Sequence, residues 1–516
     1  MASLKPRDFK SKLALSSLTK EQFLDEIIKS RKSQAESIEN FAFNKSRCRV
    51  LSKTKDIASN SKGVLYWMIR DCRVQDNWAM LFAQRLALRN KIPLMVCFSL
   101  FETHLLHPTR RHQQFLIDGL RQVEQELTGL NIPFYLIKES PKDLAKIVAD
   151  NKLGGVVCDF SPLRKPKEWI DILLKNLPGD VPLVQVDAHN IVPAWIASDK
   201  QEHMARTLRP KINKKLSEYL TGYPQVFKHP HTEKIQVKCL NKLDNDEISN
   251  LIETLWEVEP VSNKAGSNEG LEALYKFLQN GLKHYGVTSN DPSKNHTSNL
   301  SYWITFGQIS AQRIALETKS LESIYKEQVE KYLEELIVRK ELAENYCLYN
   351  KNYDSIEGAA DWAKSSLILH KSDKRTYTYT REELEKSQTH DEMWNAAQLQ
   401  ALKEGKIHGY MRMYWCKKIL EWTKSPEEAL EFALWLNDTF ALDGNCPNGF
   451  VGVMWSICGV HDQGWREREI FGKIRFMVDY SLRKKYDMDA YCARYGIGMK
   501  EGDKKWKKGT KRKLAK

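Results

Sequence analysis

The sequence predicts an α/β protein: an N-terminal parallel-sheet domain followed by a large all-α domain. Three observations carry this reading. Short apolar runs alternate with amphipathic stretches between residues 63 and 186. Pro210, Pro224, Pro230 and Pro260 then punctuate the chain. Beyond Glu269 strand-like runs nearly vanish and helical periodicity continues to about Tyr495.

The elements follow in order. Residues 1–60 are polar and rich in Lys and Ser, and are expected to be a flexible extension with one short helix over 19–38. Gly63-Val64-Leu65-Tyr66-Trp67-Met68 reads as a buried strand, and Trp78, Leu81, Phe82 and Leu86 give helical spacing over 76–90. Strands follow at 92–100, 132–137, 156–159 and 183–186, separated by helices at 111–128, 143–151 and 167–175. Strands alternating with helices of roughly 10–15 residues mean βαβ units and a parallel sheet with right-handed crossovers. Residues 199–268 are expected to connect the two domains over the surface. The domains are therefore 61–198 and 269–498, with a basic tail over 499–516.

Composition narrows the function. The 516 residues carry 80 Lys and Arg against 66 Asp and Glu, a net charge of +14. Eight basic residues and no acid fall between Lys504 and Lys516, so more than half of that surplus lies in the tail. Such a tail suits nuclear targeting or a nucleic-acid patch, although any disordered end can be basic. Ten cysteines include no CxxC pair, and Cys458-Gly459-Val460-His461 has no second pair close by. This argues against structural zinc and a disulfide framework, and no metal is expected. No apolar run reaches the ~18 residues of a membrane span, and no secretory signal is expected. No GxGxxG follows the first strand and GxxxxGK[ST] is absent, so a dinucleotide or NTP site of the usual kind is not expected.

Four clusters in the helical half carry chemistry. Thr297-Ser298-Asn299-Leu300-Ser301, followed by Phe306-Gly307-Gln308-Ile309-Ser310, puts hydroxyls at a helix start. That suits a phosphate, and equally an ordinary N-cap. In Glu334-Glu335-Leu336-Ile337-Val338-Arg339-Lys340-Glu341 acids share a face with apolar residues, so an acid near the core must be paired or protonated. The bland reading is a solvated face with i,i+4 pairs. His408-Gly409-Tyr410-Met411-Arg412-Met413-Tyr414-Trp415 is apolar all round apart from Arg412, which suggests a buried, paired arginine. Plain core packing is the alternative. Asn437-Asp438, Asp443 to Gly449, and Trp455 with Gly459 to Trp465 form loops rich in Trp, Gly and Asn on a helical scaffold.

Longer motifs tie these clusters together. They are Tyr66-Trp67-Met68-Ile69-Arg70-Asp71-Cys72-Arg73-Val74-Gln75-Asp76-Asn77-Trp78, Val186-Asp187-Ala188-His189-Asn190-Ile191-Val192-Pro193, the Tyr410 to Trp415 run, and Trp455 to Trp465 with Arg466-Glu467-Arg468-Glu469. In this order they resemble the class II cyclobutane pyrimidine dimer photolyases of the photolyase/cryptochrome superfamily, over residues 63–495. The resemblance implies a Rossmann-like antenna domain followed by a helical domain that holds FAD, active when reduced. It implies that Tyr285, Thr297, Ser298, Asn299, Leu300, Ser301 and Gln308 hold the cofactor, that Arg412 and Asp443 pair beside the isoalloxazine, and that Asn437 sits at its reactive nitrogen.

The same resemblance implies light-dependent repair of UV-damaged DNA, with the dimer flipped out of the duplex, a step for which photolyases are a standing example. Trp455 and Met413 would line the dimer pocket, and Glu335 would bond the dimer while protonated. Asn290, Arg339 and Trp465 would touch the DNA. Trp415 and Trp394 would relay electrons inward, with Tyr379 as terminal donor. Family members carry an 8-hydroxy-5-deazaflavin or methenyltetrahydrofolate antenna, or none, and the residues here do not choose among these. Three departures stand out: Cys72 replaces a usual Gln, Tyr302-Trp303-Ile304-Thr305 lacks the usual Pro and His, and Ser289 stands where an Arg often contacts DNA. Losing a phosphate-binding Arg predicts weaker, less salt-dependent DNA binding. A monomer in the nucleus is expected, with a cytoplasmic or viral setting as the alternative. A cryptochrome-like light sensor without repair activity is the competing function, and a DNA-binding protein without cofactor is a third.

Overall fold

The computed structural model describes residues 18–101, 109–235 and 257–498. The basic tail at 499–516 and the 236–256 part of the expected connector lie outside the described residues. The chain forms two compact units. One runs to Gly286 and includes His296–Lys351, and the other holds Val287–Asn295 and the chain from Asn352 onward.

The first unit is built on a six-stranded sheet: β1 (Cys48–Val50), β2 (Val64–Met68), β3 (Leu94–Ser99), β4 (Phe134–Ile137), β5 (Gly155–Asp159) and β6 (Leu183–Val186). Their order is β1-β6-β5-β2-β3-β4, with β2 to β6 parallel and β1 antiparallel to β6. Every residue of β2 and β5 is buried, as befits a parallel sheet covered on both faces. One face packs Leu65, Trp67, Met95 and Cys97 against Leu144, Val148, Ile170 and Leu173 of the helices Pro141–Asp150 and Arg164–Asn176.

Strand order reverses between β2 and β5, where doubly wound sheets bind ligands. Here the crevice is filled from within. The Asp159 carboxylate accepts the main-chain N–H groups of Ile69, Arg70 and Asp71 at 2.9, 2.8 and 3.0 Å, and the Tyr66 hydroxyl at 2.6 Å. Burial and the nearby Asp71 charge push this carboxyl up to about 6. Asn77 caps the helix Trp78–Asn90, accepting from Ala79 at 2.9 Å and Met80 at 3.2 Å.

Three differences from the sequence reading have physical causes. Residues 19–60 are not a loose extension: the helix Lys20–Lys32 buries Phe23 and Ile27, and β1 extends the sheet. Strand β1 has three residues, too few to show a period. The expected connector contains the helix Ala205–Tyr219 with Pro210 inside it. Pro210 removes one main-chain bond, and burial of Leu208, Ile212 and Tyr219 holds the helix nonetheless. Finally, the helices up to Lys351 belong with the sheet. Buried charges hold them there: Arg313 to Asp76 at 2.8 Å, Arg70 to Glu344 at 2.6 Å, and the Ile191 N–H to Glu341 at 2.7 Å.

The second unit is helical, with Glu392–Glu404, Gly409–Trp422, Pro426–Phe440 and Pro447–Cys458 as its main helices. Pro426 and Pro447 each open a helix, and Gly405 and Gly459 close two of them with positive φ. No helix among the described residues is long and apolar enough to cross a membrane.

Candidate functional site

The site residues named above divide between the two units. In the first, Thr297 donates to the Asn299 side chain at 3.1 Å, and Asn299 adopts a φ of 54°. Ser301 opens the helix Ser301–Thr305, and its hydroxyl is buried without a partner. The helix that Phe306 to Ser310 were expected to open is Ala311–Lys319, where Ser310 caps the start by accepting the Arg313 N–H at 3.2 Å. What remains is a set of hydroxyls. The Tyr332 phenol bonds Ser298, and Tyr285 stands edge-on to Tyr332 with ring centres 5.1 Å apart. Burial raises both phenols, so they stay neutral donors. Leu300 is fully buried and acts as packing.

Gln308 is engaged elsewhere. Its oxygen accepts the Gly266 N–H at 2.8 Å and its nitrogen donates to the Phe115 carbonyl at 3.1 Å. It lines a polar cavity of about 510 Å³ with Arg73, Gln75, Asp76 and Gln122. Its amide oxygen and nitrogen each keep one further hydrogen-bonding position.

Glu335 and Arg339 lie in a π-helical segment, Glu334–Arg339, between the helices Lys326–Leu333 and Lys340–Tyr349. The wider turn sets the two residues apart from the α-helical register on either side. Solvent reaches Glu335, yet surrounding protein raises its carboxyl above the ordinary range, with Glu334 adding to the rise and Arg339 opposing it. Arg339 lies 3.5 Å from Glu334, which is also bound by Arg209 at 2.7 Å.

In the second unit Arg412 donates to Asp443 at 2.7 Å, so the buried arginine has the partner its apolar helix demanded. Its Nε stays buried without a partner. The Asn437 amide nitrogen donates to Asp438 at 2.9 Å, and its oxygen is buried and unpaired. Asn445, at φ 50°, donates its N–H to the same Asp438 carboxylate at 2.9 Å. Burial pushes Asp438 up to about 6. Gly444 permits this tight turn, since a Cβ there would lie 2.7 Å from the Asn437 carbonyl. An unpaired donor on Arg412 and an unpaired acceptor on Asn437 fit a flavin ring edge, which carries both kinds of group. The unpaired Ser301 hydroxyl fits a phosphate or sugar oxygen.

Trp394 and Trp415 are both fully buried. Asp391 caps the helix of Trp394, accepting its N–H at 3.0 Å, and also accepts the Tyr414 hydroxyl from the neighbouring helix. Trp394 Nε1 donates to the Trp415 carbonyl at 3.0 Å, and Trp415 Nε1 to Gln398 at 3.1 Å. Trp422, which sequence reasoning missed, stands 5.7 Å from Trp394 and 5.3 Å from Tyr379. Its spacing of seven from Trp415 in one helix was a readable signal.

Met413 and Trp455 are half-buried and Trp465 is 43% exposed. The structure brings both tryptophans to Arg475, whose guanidinium lies 4.2 Å from the Trp465 ring and 5.8 Å from that of Trp455. Asp462 holds Arg475 in place with two bonds of 2.9 Å. Lys417, also missed, lies 4.9 Å from the Trp455 ring, and burial pushes its ammonium down to about 7. Asn290 is exposed on the 287–295 segment, while Ser289 beside it is buried. Cys72, Tyr302 and Trp303 are buried as well, while Ile304 and Thr305 are half-buried.

The family model described as DNA photolyase matches residues 64–231. A deoxyribodipyrimidine photo-lyase of Potorous tridactylus is 50% identical over 473 residues, covering 90% of this chain and 87% of its own. One from Oryza sativa subsp. japonica is 44% identical over 444 residues, 83% of this chain and 87% of that one. Among solved structures, a cryptochrome of Synechocystis sp. PCC6803 superposes with a TM-score of 0.66 at 14% identity, over 86% of this chain and 89% of that chain, and so shares the fold. With the Arg412–Asp443 pair, the hydroxyl strip and the stacked tryptophans in place, the chain belongs to the deoxyribodipyrimidine photo-lyase family, whose class II motifs it carries.

Proposed function

We infer that this protein repairs cyclobutane pyrimidine dimers in UV-damaged DNA by light-driven electron transfer, with a flavin as the electron donor. The observation that carries the reading is the buried Arg412–Asp443 pair beside the unpaired Asn437 oxygen. The finer assignment is FAD in its reduced form. Reduced FAD, when bound, would supply light-driven, reversible one-electron reduction of the dimer.

The chain's own residues orient and protect that exchange. Ser298, Ser301 and Tyr332 supply hydroxyls to the cofactor's polar chain. Arg412 offers an N–H and a positive charge, which favours a reduced anionic flavin, while Asp443 holds the guanidinium still. Asn437 presents its carbonyl oxygen, and its nitrogen is fixed by Asp438. Trp455 and Met413 give the flipped dimer an apolar wall. Glu335, whose carboxyl its surroundings raise above the ordinary range, donates a hydrogen bond to the dimer in its protonated form. Trp465 and Arg475 offer stacking and positive charge to exposed bases and backbone. Trp415, Trp394 and Trp422 carry electrons inward to reduce the flavin. The basic tail supports nuclear targeting.

The test is repair of a thymine-dimer oligonucleotide by the reduced protein in blue light and in the dark. Intact thymines restored only in light are expected. A flavin-loaded protein that restores none would favour the light-sensor reading.

A further inference from the structure

Beyond Trp422 the relay ends on a pair of side chains with a specific geometry. The Tyr379 phenol lies 2.6 Å from Nδ1 of His390, and the His390 main-chain N–H donates to the same phenol oxygen at 3.0 Å. The His390 ring stacks on Tyr377 with centres 3.8 Å apart and planes 23° from parallel. It also meets the Trp422 ring at 5.2 Å, while Tyr379 meets that ring at 5.3 Å. Three rings therefore clamp the imidazole. The main-chain N–H fills one side of the phenol oxygen and leaves the phenol's own proton within reach of Nδ1. Tyr379 is partly buried and His390 exposed, so solutes reach this end of the chain.

A phenol is hard to oxidise while it keeps its proton, because the product would be a strongly acidic cation. A nitrogen base at hydrogen-bond distance removes that obstacle by taking the proton as the electron leaves. We propose that Tyr379 and His390 form a proton-coupled terminal donor for flavin photoreduction, a role that deepens the relay described above and rests on it. The step balances as follows. Trp422, oxidised by one electron through Trp394 and Trp415, takes an electron from Tyr379. The Tyr379 O–H bond breaks, its proton bonds His390 Nδ1, and a neutral tyrosyl radical remains beside an imidazolium. A thiol in solution then gives one electron to the radical, and His390 returns the proton to the phenolate. One thiol is oxidised by one electron for each electron sent inward. His390 is a positioning residue and proton acceptor, acting through Tyr379.

Two measurements test this. In the first, histidine-¹⁵N NMR of the dark, flavin-loaded protein reads the state of His390. Nδ1 is expected to be unprotonated, with a resonance that shifts in Tyr379→Phe. A protonated Nδ1 in the neutral ring would overturn the proposal, since it could not take the proton. This readout uses the wild-type ring and does not depend on a variant folding. In the second, EPR and transient absorption follow the radicals after a flash. His390→Phe keeps the ring stacking but removes the base, and tyrosyl formation is expected to slow by about 100-fold, the lower end of what a positioned base contributes. Free imidazole should restore it, and heavy water should slow the wild-type step. Tyrosyl formation at the wild-type rate in His390→Phe would sink the idea. Trp394→Phe separates the two claims: a tyrosyl radical that still forms there would refute the tryptophan relay itself.

Discussion

Trp394 and Trp415 lie face to face, with ring centres 6.0 Å apart and planes only 5° from parallel. They sit on separate helices, Glu392–Glu404 and Gly409–Trp422. Asp391 and the bond from Trp394 Nε1 to the Trp415 carbonyl fix the pair. Parallel overlap of two buried indoles suits electron exchange. Trp415→Phe should abolish photoreduction of the oxidised flavin, followed by absorbance under thiol and blue light. Protein reduced chemically beforehand should still repair. Loss of both would show that Trp415 is needed for more than the relay.

Asp443→Ala leaves the Arg412 charge buried without its carboxylate. Breaking one side of a buried ion pair costs about 3–5 kcal/mol. The variant should melt at a lower temperature and purify with little flavin, measured by calorimetry and by flavin absorbance per chain. Asp443→Asn keeps a hydrogen-bond acceptor and should fall between the two.

Glu335 is useful as a donor only while protonated. Burial raises its carboxyl, so the donor form persists to higher pH than for an ordinary glutamate and is lost as pH rises through the raised value. Repair rate by the wild-type protein should therefore fall on the alkaline side. Glu335→Gln carries a permanent N–H donor and should be slower at low pH but flat across that range. A wild-type profile equally flat would remove Glu335 from the donor role.

Burial alone would raise Glu344, yet Arg70 and Lys340 outweigh it and hold the carboxyl down to about 2. Its ionised form stabilises the fold. That contribution is complete above the unfolded value near 4.5 and is lost as pH falls toward about 2. Acid unfolding of wild-type protein should be partly shifted to higher pH in Arg70→Met, read by circular dichroism.

The parallel sheet was legible because five apolar runs at regular intervals leave few other folds open. Strand β1 was not, since Cys48-Arg49-Val50 is too short and too polar to show a period, and it forms only because β6 offers an open edge. At the site, Arg412 announced itself as one cation in the apolar run Tyr410 to Trp415, while its partner Asp443 came from the family resemblance. Gln308 was placed beside the cofactor by the family resemblance alone, and its contacts in the fold were not legible. Its actual partners, Gly266 and Phe115, are main-chain groups far away in sequence, and no local pattern records them. Lys417 and Arg475 escaped notice because their roles depend on aromatic rings brought near only by folding.

Asp159 has a consequence for what the sheet domain can host. Three amide N–H groups at the head of β2 form a cradle that in related sheets greets a phosphate, and here a covalently tethered anion already sits in it. An incoming nucleotide would have to expel that carboxylate and face Asp71 next to it. A phosphate at these three N–H groups would have to compete with the Asp159 carboxylate for them. Removing the tether, as in Asp159→Gly, is the change that would make such a vacancy, and with it a stray affinity for inorganic phosphate.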